Sequence, residues 1–295
     1  MPNSKKKILV TGGAGFVGTN LISFFLKKTK FNIISLDNYS SGTKKNHIKS
    51  NRVKYIKGHT KNIMDLIKDS KSIHSIFHLG EFARIYQSFL KMNECVDSNF
   101  IGSNAVFNFC LKNNIKLVYS ATSASLGNQG KDKNLSPYAF SKATNLEQLE
   151  GFKKRFKFKY EVIYFYNVYG PRQICEGSMA TVIGIFEKQY KNKKPLTVVK
   201  PGSQSRRFTH IEDTIKACVN AWKKNKSKHY SISNRKSYTI LQVAKLFNCK
   251  IRFLPPREGE RYASALTNLN LSNKVHKIFG NINLKDYIRS FINNN

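Results

Sequence analysis

Tyr138 and Lys142 stand four residues apart, just after Ser136-Pro137. A proline suits the first turn of a helix, and side chains at i and i+4 share one helix face. An ammonium beside a phenol stabilises the phenolate and lowers its pKa, so Tyr138 can serve as a general base near neutrality with Lys142 as its partner. Just upstream the chain runs Ser120-Ala121-Thr122-Ser123-Ala124-Ser125, a patch of hydroxyls. Hydroxyl, phenol and ammonium together can bind a sugar-like alcohol and take its proton as a hydride leaves for a nicotinamide. A second chemical feature lies near the start, where residues 11–18 read TGGAGFVG. Glycines at 12, 15 and 18 allow a tight turn and let the backbone approach a diphosphate, which the free N–H groups of the next helix then hold. Asp37 closes the next apolar run, and a carboxylate there accepts both ribose hydroxyls and repels a 2′-phosphate, selecting NAD over NADP. The Gly-Lys-Ser/Thr ending of a P-loop is missing.

These groups need elements to position them. Apolar runs at 7–11, 31–36, 53–57, 75–79, 116–120 and 161–167 read as strands, and 16–28, 97–113 and 138–156 read as helices. Strands separated by helices predict a parallel sheet covered on both faces, with ligands at the carboxyl ends of its strands. After Gly170-Pro171 the rhythm breaks, and the rest of the chain holds most of the prolines. A helix over 212–223 and a strand over 230–233 dip back into the main sheet. The expectation is therefore an α/β protein with a Rossmann-type doubly wound sheet over 1–170, to which 206–233 returns. A smaller substrate-binding lobe is built from 171–205 and 234–295.

Composition bounds the alternatives. The chain has 295 residues, 40% of them hydrophobic, and 21 Phe and 14 Tyr, enough to bury a sizeable core. No apolar run approaches the roughly 18–20 residues of a bilayer crossing. The basic start is followed by an apolar run too short for a signal-peptide core, so a cytoplasmic protein is expected. The five cysteines are odd in number and form no Cys-x-x-Cys pair, which argues against a disulfide framework and against a metal site. Formal net charge is +34. Such a charge fits a polyanion partner, yet the lysines are scattered, no basic block of five occurs and no nucleic-acid motif is present. An RNA-binding role is therefore the weaker alternative.

Taken together, the motifs resemble those of extended short-chain dehydrogenases/reductases, within the nucleotide-sugar epimerase/dehydratase family and nearest to UDP-glucose 4-epimerase-like enzymes. Residues 11–18, Asp37-Asn38, Phe77-His78-Leu79, the Thr122 region, Tyr138 with Lys142, and 167–173 carry the resemblance, as do 202–213 and 257–261. It implies NAD held by Gly12, Gly15, Phe16, Val17, Gly18, Asp37, Asn38 and Ser41. It adds His59, Thr60, Leu79, Gly80, Asn99 and Tyr166 to that set, with Tyr138 and Lys142 at the nicotinamide ribose. It implies a nucleotide sugar, with UDP favoured, bound by Glu81, Thr122, Ser123, Tyr138, Asn167, Arg207 and Arg261. The catalytic residues would be Thr122, Tyr138 and Lys142. Many relatives dimerise, so a homodimer is expected.

The resemblance also discriminates between reactions. Dehydratases of the family carry an Asp-Glu pair after the catalytic Thr, and decarboxylases a Glu. Here Ser123-Ala124-Ser125 follows, with no acid. A 4-epimerase remains, acting through a 4-keto sugar, with a 4-ketosugar reductase as the alternative. Departures from the family pattern are His59 in place of an Asp, Glu81 within a usual run of small residues, and a short segment over 127–136.

Overall fold

The computed structural model describes residues 6–256 and 274–295, with 127–132 followed as backbone alone. Six strands lead the fold: β1 (Lys7–Thr11), β2 (Asn32–Asp37), β3 (Val53–Lys57), β4 (Ile73–His78), β5 (Lys116–Thr122) and β6 (Tyr160–Phe165). Strands His229–Ser233 and Val275–Phe279 complete an eight-stranded parallel sheet. From one edge its order is Val275–Phe279, His229–Ser233, β6, β5, β4, β1, β2, β3.

The apolar runs are continuous because both sheet faces are covered. Side chains alternate between the faces. Ile8, Val10, Phe77, Val118 and Ile163 pack with helix α1 (Phe16–Lys28) and helix Ile211–Lys224 on one side. Leu9, Ile76, Leu117, Val162 and Tyr164 pack with helices Ser103–Lys112 and Pro137–Phe156 on the other. A third core gathers Tyr169, Ile183, Phe186, Leu196, Phe208, Val243 and Ile288 around the later, shorter elements. Strand Val275–Phe279 falls in the segment that the sequence assigned to the smaller lobe. It instead edges the main sheet, since its parallel ladder with His229–Ser233 satisfies the backbone there.

The sequence order reverses where β1 lies beside β4, so the loops leaving these two strands diverge and open a crevice at their carboxyl ends. Among the described residues no helix is long and apolar enough to cross a membrane.

Candidate active site

At the end of β1 the chain turns at Gly12, whose φ of +68° suits glycine. A Cβ there would lie 2.8 Å from the backbone of Leu79 and Gly80, and one at Gly18 would lie 2.1 Å from the Gly12 carbonyl oxygen. Both positions therefore require the missing side chain. Asp37 ends β2 and is buried. Its Oδ2 accepts from the Ala14 N–H at 2.9 Å and its Oδ1 from the Tyr39 N–H at 2.8 Å. Burial raises its pKa, while these N–H groups pull it the other way. An ionised carboxylate offers about four acceptor positions, so lone pairs remain for ribose hydroxyls.

A cavity of about 470 Å³ runs across the carboxyl ends of the strands. On the β1–β2 side it is lined by Gly12, Gly15, Phe16, Val17, Gly18, Asp37, Asn38 and Ser41. Leu79 and Gly80 line it beside β4, and Thr122, Ser123, Tyr138, Lys142 and Asn167 on the β5–β6 side. The glycine cradle, the open first turn of α1 and the carboxylate at the end of β2 fit a dinucleotide.

Helix Pro137–Phe156 begins with Pro137 in its first turn and with the Ser136 hydroxyl accepting from the Ala139 N–H at 3.0 Å. This cap fixes where the helix starts, and hence where Tyr138 and Lys142 point. Both are buried, and the Tyr138 phenol is hydrogen-bonded to Thr122. Lys142 Nζ donates to the Ser120 carbonyl at 2.5 Å and to the Glu81 carboxylate.

Glu81 stands on the cavity wall, where its side chain is only 2% exposed and its carboxylate is engaged by buried groups. One oxygen accepts from Ser103 at 2.7 Å, Tyr119 at 3.0 Å and Asn145 at 3.2 Å, and the other from Lys142. Glu81 is the counter-ion of Lys142. Partly for that reason the expected lowering of the Tyr138 pKa is reversed. Burial pushes this phenol up to about 12, with Glu81 adding to the rise, while the Thr122 hydrogen bond and the Arg84 charge pull it down.

Several further expected contacts lie away from the cavity wall. Asn99 is fully buried, and its Oδ1 accepts from the Phe82 N–H at 2.6 Å, so it pins the loop after β4. His59 caps a short turn, accepting from the Lys61 N–H at 3.1 Å, and lies 3.4 Å from Asp97. Thr60 is buried against Gly102. Tyr166 is a core residue at 1% exposure, packed with Tyr119 and Tyr164. Arg207 donates to the Asn234 carbonyl at 2.9 Å, and its neighbour Arg206 lines the cavity instead. Arg261 lies outside the described residues.

Two charged cavity residues lie outside the set expected from the sequence. Arg206 was one residue from the chosen position, and alternation along the strand Ser205–Arg207 sends adjacent side chains to opposite faces. Arg84 sits in the loop leaving β4, on the cavity wall near Tyr138. Its available signal was being one of few arginines, three residues past Glu81.

Comparison with known proteins gives the family. The profile of the NAD dependent epimerase/dehydratase family matches residues 8–233. The uncharacterized UDP-glucose epimerase YtcB of Bacillus subtilis is 31% identical over 229 residues, 71% of this chain and 70% of its own. A putative UDP-glucose 4-epimerase of Methanocaldococcus jannaschii is 27% identical over 275 residues, covering 86% of this chain and 88% of its own. Among solved structures, a UDP-N-acetylglucosamine 4-epimerase from Methanobrevibacter ruminantium, in complex with UDP-N-acetylmuramic acid, superposes with a TM-score of 0.79 at 25% identity. That superposition covers 96% of this chain and 92% of the other. A family match running from β1 to the strand His229–Ser233 takes in the glycine cradle, Asp37, Thr122, Tyr138 and Lys142 alike, and the chain belongs to the NAD-dependent epimerase/dehydratase family of short-chain dehydrogenase/reductase enzymes.

Proposed function

We propose that the protein is a nucleotide-sugar 4-epimerase acting on a UDP-hexose. The observation that carries this reading is the meeting of Thr122, Tyr138 and Lys142 at one wall of the dinucleotide cavity, followed by Ser123-Ala124-Ser125 with no acid. Elimination of water needs an acid placed at the leaving hydroxyl, and its loss costs roughly 10²–10⁴-fold. Inversion at C4 needs none. Tyr138 takes the proton of the C4 hydroxyl, and Thr122, bonded to the same phenol, orients that oxygen. NAD supplies the reversible hydride acceptor and, when oxidised, a positive charge. Lys142, fixed between Glu81 and Ser120, holds its ammonium on the face of the helix that carries Tyr138. After the 4-keto ring turns over, Tyr138 returns the proton to O4 on the other face. Burial of Tyr138, Lys142 and Thr122 keeps bulk water from the reacting carbon. The names of the two sequence relatives support the UDP-sugar part of the reading.

The purified protein should interconvert a UDP-sugar and its C4 epimer with no net NADH. Steady NADH consumption with a 4-keto sugar would instead identify a reductase. Tyr138→Phe should lower turnover at least about 10²-fold and leave bound NAD unchanged; unaltered turnover removes Tyr138 from the chemistry. The same reading takes the protein as a homodimer, supported by exposed Phe89, Leu90, Met92, Val96, Phe100, Ile101 and Phe140 on neighbouring helices. Five unpaired cysteines fit a reducing compartment, the cytoplasm.

A further inference from the structure

Helix Val182–Lys191 turns Ile183, Phe186 and Tyr190 toward the third core. Residues spaced by three and four share one helix face, so position 187 belongs to the same stripe. An apolar residue is expected there, yet the chain places Glu187, one of only 17 acids. The side chain is buried, and a buried carboxylate is unfavourable unless it is hydrogen-bonded. Tyr287, on helix Leu284–Asn293, donates to its Oε1 at 2.7 Å, and Gln173 Nε2 donates to its Oε2 at 2.8 Å. A carboxylate only accepts, so it fixes the orientation of the Gln173 amide. The amide nitrogen faces Glu187, and the amide oxygen accepts from the Thr181 hydroxyl at 2.7 Å. That hydroxyl in turn accepts from the Gly184 N–H at 3.0 Å and caps the helix. The segment 173–181 is thereby closed at both ends. Gly184 allows its close approach, since a Cβ there would stand 2.5 Å from the Ile174 carbonyl oxygen.

This segment faces the reacting groups. Ile174, Met179 and Thr181 line the cavity, and Met179 packs against the apolar cluster that holds Tyr138 and Phe82. We infer that Glu187 is a positioning residue for the nucleotide sugar. Through Gln173 and Thr181 it holds the wall 173–181 beside Tyr138, and Tyr287 makes helix Leu284–Asn293 part of that hold. The inference rests on the nucleotide-sugar reading for what fills the space against this wall. Stability alone does not call for the acid, because an apolar residue of similar volume often serves a core as well or better. A wall ordered in advance spares the substrate the entropy of ordering it. The cofactor side is pinned separately. Asn20 on α1 donates to the Pro171 carbonyl at 3.0 Å, and Arg172 donates to the Thr19 hydroxyl at 3.0 Å, both ahead of Gln173. Loss of Glu187 therefore loosens the sugar wall and leaves the glycine cradle and Asp37 in place.

The test titrates the full chain, carrying its NAD, with UDP-glucose and UDP-galactose, and repeats the titrations with Glu187→Ala, Glu187→Gln and Gln173→Met. Glu187→Ala and Gln173→Met should each weaken sugar-nucleotide binding at least about 10-fold with NAD retained. Their effects should not add in the double variant, because both break one link. Glu187→Gln should recover most of the affinity, since an amide oxygen can still accept from Gln173. In turnover, KM should rise while kcat stays within about 3-fold, as Thr122, Tyr138 and Lys142 are untouched. Should Glu187→Ala fail to fold, Gln173→Met decides, because it leaves the carboxylate its Tyr287 bond. Unchanged affinity in a folded variant overturns the inference, even where its thermal midpoint falls, and so does loss of NAD together with the sugar. The epimerase reading is judged separately by product analysis. Wild type that binds these sugars without forming the C4 epimer sinks that reading and leaves this inference to the affinities. Wild type that binds neither sugar nucleotide overturns both.

Discussion

At Tyr138 opposing influences meet in one phenol. Burial and the Glu81 carboxylate hold its proton on, while the Thr122 hydrogen bond and the Arg84 guanidinium ease it off. Glu81 acts as a positioning residue through Lys142, and its charge also reaches Tyr138. Replacing it by Gln keeps the shape and removes the charge, so the phenolate becomes easier to form. The acidic limb of kcat/KM against pH should then move to lower pH in Glu81→Gln, because a lower base pKa leaves more phenolate at any given pH. Glu81→Asp should retain the wild-type limb. A uniform fall in activity with an unmoved limb would mean that Glu81 only fills space. At this scale the sequence was legible where local geometry decides. The i,i+4 rule put Tyr138 and Lys142 together, and the glycine turn located the cradle. It was illegible where a contact spans the chain. Glu81 and Lys142 are 61 residues apart, and no local rule announces that the carboxylate turns inward. The resemblance implies Arg207, whereas the strand turns its neighbour Arg206 to the cavity wall.

Between these residues, the elements carry a buried chain of hydrogen bonds from β1 to the Tyr138 helix. The Thr11 hydroxyl accepts from the Leu79 and Gly80 N–H groups at 3.1 Å each, so its proton goes to His78 Nδ1 at 2.7 Å. His78 must then donate from Nε2 to Ser103 at 2.9 Å, and Ser103 donates to Glu81 at 2.7 Å. Every donor has its acceptor only while the imidazole is neutral, a tautomer assigned from this network. Burial accordingly depresses the His78 pKa from 6.5 to about 4. The unfolded chain takes up this proton near pH 6.5 and the folded chain only near pH 4, so stability is full above that window and falls as pH drops through it. The depression corresponds to about 3 kcal/mol at most. Thermal midpoints measured from pH 7 to pH 4 should fall, and His78→Asn should flatten the slope by up to one proton; an unchanged slope would place the proton uptake elsewhere. The strands in this network were legible from their apolar runs because a doubly covered sheet leaves no polar face. The turn Asp97–Gly102, of π type, was not legible. It read as plain helix, yet its wider winding carries the Asn99 amide that clamps Phe82.

The whole molecule has to reconcile two surface properties, a net charge of +34 and a set of exposed apolar side chains. Scattered lysines repel between copies, and this repulsion is screened beyond about 10 Å at 0.1 M salt. Exposed Phe89, Leu90, Met92, Val96, Phe100 and Ile101 lie on consecutive turns between Ile85 and Gly102, and Phe140 lies on the helix packed against them. Apolar burial is insensitive to modest salt, whereas like-charge repulsion is not. The proposed homodimer should therefore tighten as salt is raised, the opposite of binding to a polyanion, where salt weakens affinity. The site would feel the change, because the same helices hold Asn99 against the loop that carries Glu81 and Arg84. Sedimentation at low and moderate salt should show a shift from one chain to two, and Leu90→Lys combined with Phe100→Lys should hold the protein as a monomer at both. A monomer at every salt concentration in the unaltered chain would remove these side chains from any role in self-association. A dimer that survives both substitutions would place the interface on another face.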